Sequence, residues 1–541
     1  MNIKEQIEKS LGQFISTSNV DICEYQCNAA FAMAKAQGRK PFEIAQEIAN
    51  GFKSDFAEAV AHPSGFVNFK LTDKTLVNIA KNILDNKKLP LATQKTKTIF
   101  FDYLGANVAK ELHIGHLRPP IIGEALRRTF NEFGHKTISY AHLGDWGLQM
   151  GLVIGQLMDD GYIENNKFVK EINLDVFNIL YPKASKRSKE DPDFRSRAED
   201  ITAKLQKLEE PYYGLWKVIR ATSVEKITEN YLKLGCTFDA MNGESNAQPF
   251  IPETIEKLKT KGAYQSQGCL IFDVKTEDDN CPMPPVILQK PNGGDLYATT
   301  DIATILFRMR EYNPNEIIYV SDFRQELHFE QVFRTVKLGG IVKPETKLTL
   351  VSHGTMNGTD GKPFKTRSGD VVKLEDVINL VTDAATKKMR NPNPVDAQKI
   401  GIAALKFADL SNSVRKDYVF DIDKFTSFEG KTGPYLLYTI ARINSILKKS
   451  QMNTKDFTIT SATRDIIVAC IKLSDSYSTA IENYTLNNIV ESAWNLANKF
   501  NLLYANETIQ GNVDNLKAAE LCRTALMFAL DTLAIESVYE M

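Results

Sequence analysis

The stretch TIFFDYLGANVAKELHIGHLRPPIIGEALRR, residues 98–128, decides how this chain is read. Thr98 to Leu104 is a short apolar run rich in aromatic residues, the pattern of a buried strand. From Ile121 to Phe133 the apolar residues recur at helical spacing. Between them lies His113-Ile114-Gly115-His116. A strand that runs into a helix in an α/β domain presents free backbone N–H groups and a positive dipole end, a setting that suits phosphate. Gly115 lets a nucleotide approach the backbone closely. Two imidazoles three residues apart point the same way and donate to phosphate oxygens. Taken alone, the motif leaves open a turn with two solvated or packing histidines.

Outward from this stretch the same pattern repeats. Residues 137–142, Glu316 to Val320 and Lys347 to Val351 are further short apolar runs separated by helical patterns. They predict a parallel sheet covered on both faces. The interval of about 150–290 is charged and helix-rich, and is expected to be an insertion in this nucleotide fold. Before it, residues 1–70 read as a small α+β unit, with helices over Cys23–Gln37 and Pro41–Phe52 and a strand over Gly65–Leu71. A helix over Asp73–Leu84 and a Lys/Thr-rich linker, 87–97, follow. After 375 six helical patterns follow one another to the C-terminus, with balanced charge. The expected organisation is an N-terminal domain over 1–90 and a Rossmann-like catalytic domain over 96–375. Connecting helices fill 376–430, and an all-α bundle fills 431–541.

With 541 residues and a net charge of -1, the chain is long enough for several cores and carries no global basic footprint. It has no apolar run long enough for a transmembrane helix and no signal-like N-terminus, so a cytoplasmic protein without membrane contact is expected. The seven cysteines are scattered. Cys23 and Cys27, four apart on the expected helix, have no companion ligands and read as packing, so no metal site is expected.

The wider set of segments is more specific than the histidine motif. YAHLGDWGLQMG (140–151), GDLYATTDIAT (294–304), YVSDFRQELHF (319–329) and GKPFKTRSGDVVKL (361–374) join the opening stretch, with GFVNFKL (65–71) before it and FEGKTGPYLLYTIAR (428–442) after it. Together they resemble a class I arginyl-tRNA synthetase of the bacterial type over essentially the whole chain. The resemblance implies that L-arginine and ATP, the latter as its Mg2+ complex, form an arginyl-adenylate, and that the arginyl group passes to arginine tRNA. No tightly bound cofactor is implied, and a monomer is expected. Such chemistry asks the protein for positioning and charge stabilisation.

By resemblance, His113, Gly115, His116, His353 and Lys110 hold ATP, with His113, His116 and Lys110 stabilising the reacting phosphate. The lysine-rich signature loop of class I enzymes corresponds to Pro363–Ser368, where the lysines depart from their usual places. Lys110 is then implied to compensate, and Lys365 and Arg367 remain candidates for the pyrophosphate side. A guanidinium needs acceptor-rich, planar partners in a partly dry pocket. The resemblance points to Glu244, Tyr297 and Asp301 for it, and to Asn107 and Gln325 for the amino and carboxylate end. Tyr297 and Asp301, four apart on a helical turn, would face one pocket. For Asp301 a helix N-cap is the structural alternative. For Lys110 and the signature loop it is a solvated surface.

For tRNA, Phe66 and Asn68 carry the matching N-terminal pattern, and Tyr435, Arg442 and Met541 the C-terminal one. Strand alternation sets Phe69 opposite Phe66, so one of the two phenylalanines belongs to a core. Tyr435, Tyr438 and Arg442 share a helical face, with bundle core as the alternative. Asp145 and Trp146 read as braces of the sheet edge. Two enzymatic and non-enzymatic rivals are kept: another class I nucleotidyl-transferring enzyme, and a catalytically silent RNA-binding paralogue. Pro119-Pro120, where a more ordinary helix start is usual, implies that the helix begins near His116 or has an irregular first turn.

Overall fold

Five parallel strands build the middle of the molecule: β1 (Thr98–Asn107), β2 (Lys136–Gly144), β3 (Ala240–Gly243), β4 (Glu316–Asp322) and β5 (Lys347–His353). Their order is β5-β4-β1-β2-β3. The direction of winding reverses between β1 and β4, which opens a crevice at their carboxyl ends. The structure, a computed structural model, describes residues 3–18, 22–92, 94–291, 296–362, 372–450 and 458–539.

Alternation along the strands gives each face its own core. Ile99, Phe101, Ala141, Leu143, Ile318 and Val320 face one layer. Phe100, Tyr140, Ile317 and Tyr319 face the other. Beneath that second face Arg308 is fully buried. It donates to Asp102 (2.5 Å) and to the Tyr319 hydroxyl (2.9 Å), and lies over the rings of Phe100 and Tyr140. A guanidinium so placed is held by charge and by ring faces together, although its Nε has no hydrogen-bond partner among the described residues.

One strand departs from the sequence expectation. β3 falls inside the interval 150–290 and pairs with β2 from Tyr140↔Ala240 to Leu143↔Gly243. Its four residues, Ala-Met-Asn-Gly, form no apolar run, so only the pairing reveals it. The inserted material is therefore divided. Helices from Leu148–Asp159 to Tyr212–Lys233 precede β3, and a three-stranded antiparallel sheet with its helices follows it.

After β1 a 3-10 turn, Ile114–His116, leads into helix α1, Arg118–Glu132. Pro119 and Pro120 are its second and third residues, where their missing N–H groups have no helical partner to lose. α1 lies close on β1: a Cβ on Gly123 would come within 2.3 Å of the Cβ of Tyr103. Helix α2, Tyr297–Glu311, and helix α3, Glu326–Leu338, flank β4 on the opposite layer.

The N-terminal unit is an antiparallel sheet in the order Ser16–Thr17, Tyr25–Cys27, Val67–Leu71, Ala57–Ala61. The expected helix over Cys23–Gln37 is corrected here. Tyr25–Cys27 is a strand paired with Val67–Phe69, and the helix starts only at Ala29. Pairing across the sheet overrides the local pattern. Cys23 and Cys27 are buried free thiols. At the other end Gly433–Lys448, Ser461–Asn483, Asn487–Asn506 and Val513–Thr532 form the helical bundle. Arg464 of the bundle reaches Glu24 (2.8 Å) and Asp73 (3.0 Å) of the N-terminal region. Arg128 of α1 donates to the Asp531 carbonyl (2.9 Å) and the Gly235 carbonyl (3.1 Å).

Candidate active site

The crevice between β1 and β4 collects chemistry from the loops that leave them. In the 3-10 turn both histidine rings accept from backbone: His113 Nδ1 from Gly115 N–H (3.1 Å), and His116 Nδ1 from His113 N–H (3.0 Å). The rings sit 4.0 Å apart. An Nδ1 that accepts carries no proton, so each neutral ring holds its proton on Nε2. Burial, and then the charge of Lys110, pushes His113 below its ordinary value. Burial, the His113 ring and Lys110 push His116 down to about 3. Both are neutral donors at pH 7. A Cβ on Gly115 would stand 2.8 Å from the His113 ring, so glycine is needed for the imidazole as well as for any ligand.

The segment is pinned from two sides. Ile114 N–H donates to Val372 (2.9 Å), and Leu374 N–H to Leu112 (3.0 Å), so the chain just after the signature loop is clasped to the histidine turn. Glu111 takes Lys373 (2.8 Å) and Asn178 (2.8 Å). Arg118, 2% exposed, donates to Asp409 (2.9 Å) and to the carbonyls of Val414 and Lys416. Lys110 is exposed in a cleft of about 680 Å³ beside His113, shared with Asn178, Lys186 and Lys189.

A second pocket, about 300 Å³, opens between the carboxyl end of β3 and the start of α2, lined by Trp146, Gln206, Glu244, Gln248, Lys290 and Tyr297. Burial, with Asp145 and Asp301 nearby, raises the Glu244 carboxyl to about 7. Asp145 is fully buried and held by Arg220 (2.9 Å) and by Ser245 through N–H (3.0 Å) and hydroxyl (2.8 Å). Asp301 meets His328 Nε2 at 2.6 Å. It caps nothing: Leu296 is the N-cap of α2. Tyr297 stands at the rim, 76% exposed. Three carboxyl groups thus lie close together. Two have cationic or imidazole partners. Glu244 shares its pocket with Lys290 but has no ion pair or hydrogen bond to a cationic side chain among the described residues.

The remaining expected positions are spread along the sheet edge. Asn107 ends β1, and its Oδ1 packs where a Cβ of Gly144 would be. Gln325 is exposed just before α3. His353 ends β5, 4% exposed, with Nδ1 on the Gly354 carbonyl (2.9 Å), which leaves Nε2 a buried acceptor without a partner among the described residues. Lys365, Arg367 and Met541 lie outside the described residues.

The RNA candidates among the described residues sit in the terminal domains. Phe69 is the core phenylalanine, fully buried. Phe66 is half-buried, edge-on to Phe31, and Asn68 accepts from Gln26 (2.9 Å). Arg442 lies between the rings of Tyr438 and Tyr504, 4.7 Å from each, in a cleft of about 850 Å³ that Tyr539, Lys448 and Lys449 also line. Tyr435 is tied to Asn501 (2.9 Å) behind it. Sequence reasoning missed His328, Arg220 and Tyr504. His328 was within reach, three residues after Gln325. For the other two no local signal exists, because they arrive from distant helices.

Comparison with known proteins covers the whole chain. Residues 78–422 match a model described as tRNA synthetases class I (R), catalytic domain. Residues 2–71 match the arginyl tRNA synthetase N terminal domain, and 436–541 the DALR anticodon binding domain. The chain is 40% identical to an arginine–tRNA ligase of Alkaliphilus oremlandii, over 99% of this chain and 96% of that one. It is 38% identical to one of Agathobacter rectalis, over 92% and 89%. Among solved structures, arginyl-tRNA synthetase of Plasmodium falciparum superposes with a TM-score of 0.85 at 23% identity, covering 99% of this chain and 97% of the other. The Thermus thermophilus enzyme gives 0.81 at 21%, covering 100% and 99%.

Proposed function

Because the chain belongs to the arginyl-tRNA synthetase family, we propose that the crevice joins L-arginine to its cognate tRNA at the expense of ATP, through an arginyl-adenylate. The observation that carries this for arginine is the pocket around Glu244. A carboxyl group raised to about 7 by burial and by two neighbouring carboxylates has no ion-paired cation among the described residues, and a guanidinium supplies a planar one.

In this reading the substrate carboxylate attacks the α-phosphate and pyrophosphate leaves. Nε2–H of His113 and of His116 donate to phosphate oxygens as charge gathers on them, and no proton moves through the rings. Gly115 admits the triphosphate, which arrives with its Mg2+. Lys110 adds a compact cation from the strand side, and Lys365 and Arg367 complete the pyrophosphate side. His353 presents an acceptor, suited to an amino or hydroxyl group of the nucleoside. Glu244, Asp301 and Tyr297 take the guanidinium end, and Asn107 and Gln325 the ammonium and carboxylate end. Phe66 and Asn68 meet the tRNA from the N-terminal domain. Tyr435, Arg442 and Met541 meet it from the C-terminal domain, where exposed rings offer stacking faces. The protein works as a cytoplasmic monomer. No helix among the described residues is long and apolar enough to cross a membrane.

ATP–pyrophosphate exchange with each amino acid, with and without tRNA, tests the assignment. Exchange with arginine alone, dependent on tRNA, is the expected result. Exchange driven by glutamine or cysteine overturns the choice of amino acid. Silence under every condition returns the chain to an RNA-binding role.

A further inference from the structure

Next to Thr300, which lines the acidic pocket, Asp301 carries a partner that the reaction as described leaves unused. His328 is the third residue of α3, and its Nε2 stands 2.6 Å from Asp301 Oδ2. An ionised carboxylate only accepts, so Nε2 carries the proton. Both side chains keep about a third of their surface in solvent (28% and 31%), where an isolated pair contributes little to stability. Its worth lies in orientation. The His328 ring is set edge-on to Phe329, 5.5 Å away, and so approaches Asp301 along one direction. Asp301 Oδ1 takes no hydrogen bond among the described residues. The turn from β4 into α3 delivers Gln325 and His328 to the same edge of the crevice, one helical turn apart.

We propose that His328 is a positioning residue for amino-acid recognition: it fixes Asp301 through Oδ2 and leaves Oδ1 as the single acceptor offered to the guanidinium. The arrangement parallels Asp145, the other carboxylate near Glu244, which Arg220 and Ser245 immobilise. The inference rests on the arginine reading of the pocket. Asp301 is then an end-on rather than a two-oxygen partner, and removing His328 lets its carboxylate rotate away from the substrate.

The experiment compares arginine-dependent exchange in the full-length protein for His328→Ala, His328→Gln, Asp301→Ala and the Asp301→Ala/His328→Ala double variant. Loss of one oriented charged contact corresponds to about tenfold in the arginine KM. His328→Ala is expected to show that rise, with kcat and the ATP KM within about twofold of the unsubstituted protein. His328→Gln, whose amide nitrogen reaches as far as Nε2, is expected to restore most of the loss. In the double variant the second substitution adds nothing beyond Asp301→Ala, since both remove one interaction. An unchanged arginine KM in His328→Ala, or losses that multiply in the double variant, overturn the proposal. So does a parallel rise in both KM values, which marks a tie between α2 and α3 only. Absence of arginine-driven exchange in the unsubstituted protein is a different failure, that of the arginine reading itself.

Discussion

Lys110 stands three residues before His113, exposed, and its charge is felt by both imidazoles. On the proposed reading it meets the phosphates that a class I signature loop would otherwise meet. Lys110→Ala is expected to lower the rate of adenylate formation by about 10²–10³, the effect of one lost transition-state donor. Tm and arginine affinity should hold, and exchange at the unsubstituted rate would return the role to Lys365 or Arg367. Glu244 makes a prediction in pH. Its carboxyl is raised to about 7, so below that value Glu244 in the free pocket is protonated and withholds its charge from arginine. The arginine KM should therefore fall as pH rises through 7, by up to about tenfold per unit on the acid side, and level off above. Glu244→Gln should flatten that dependence. The stability sign is the reverse of an ordinary salt-bridged acid. Between the unfolded carboxylate value and 7 the folded chain binds the extra proton, so the free protein loses stability as pH rises through that window. Titrating arginine KM and Tm in parallel from about pH 4.5 to 8.5 separates the two.

At the scale of elements, the seat of α1 on β1 is the most exacting contact. Gly123→Ala drives a methyl into the Cβ and ring of Tyr103, neither of which is the far end of a flexible chain. A cost of about 1–3 kcal/mol is expected, read as a lowered Tm with exchange kinetics retained by the folded fraction. Elements whose signal is local were legible before the structure. β1, β2, β4 and β5 announce themselves as apolar runs, and the chain after about 375 is mainly helical as its pattern implies. Elements made by pairing were not. Ala240–Gly243 is too short and mixed to read as a strand, and Tyr25–Cys27 was hidden inside an alanine-rich helical pattern. The site divides in the same way. His113, His116 and Lys110 are contiguous, so one stretch displays them. Glu244, Asp301 and His328 come from three separate elements, and it took a family resemblance to name the first two. The proline pair shows the limit of local reasoning. The sequence posed two alternatives, and the fold uses both, a 3-10 turn followed by a regular helix.

Across the whole molecule α1 has a mechanical meaning. Its fifteen residues span about 22 Å at 1.5 Å each. At the end nearest the histidine turn, Arg118 is bolted to Asp409 and to the carbonyls of Val414 and Lys416. At the far end, Arg128 grips Glu124, the Gly235 carbonyl and Asp531 at the last helix of the bundle. Both anchors are cationic forks on backbone and carboxylate, and they hold direction as well as distance. The helix is thus a strut between the C-terminal bundle and the histidine turn, with only Leu117 between it and the 3-10 turn. On the proposed reading it passes a displacement of the bundle on to the imidazole pair. Arg128→Met releases one end of the strut. On the proposed reading it should leave tRNA affinity and the arginine KM near their original values while lowering tRNA-dependent kcat by about 3–10-fold, a coupling of ordinary size. Equal kcat with a weakened tRNA complex would show that the far anchor only shapes the binding surface.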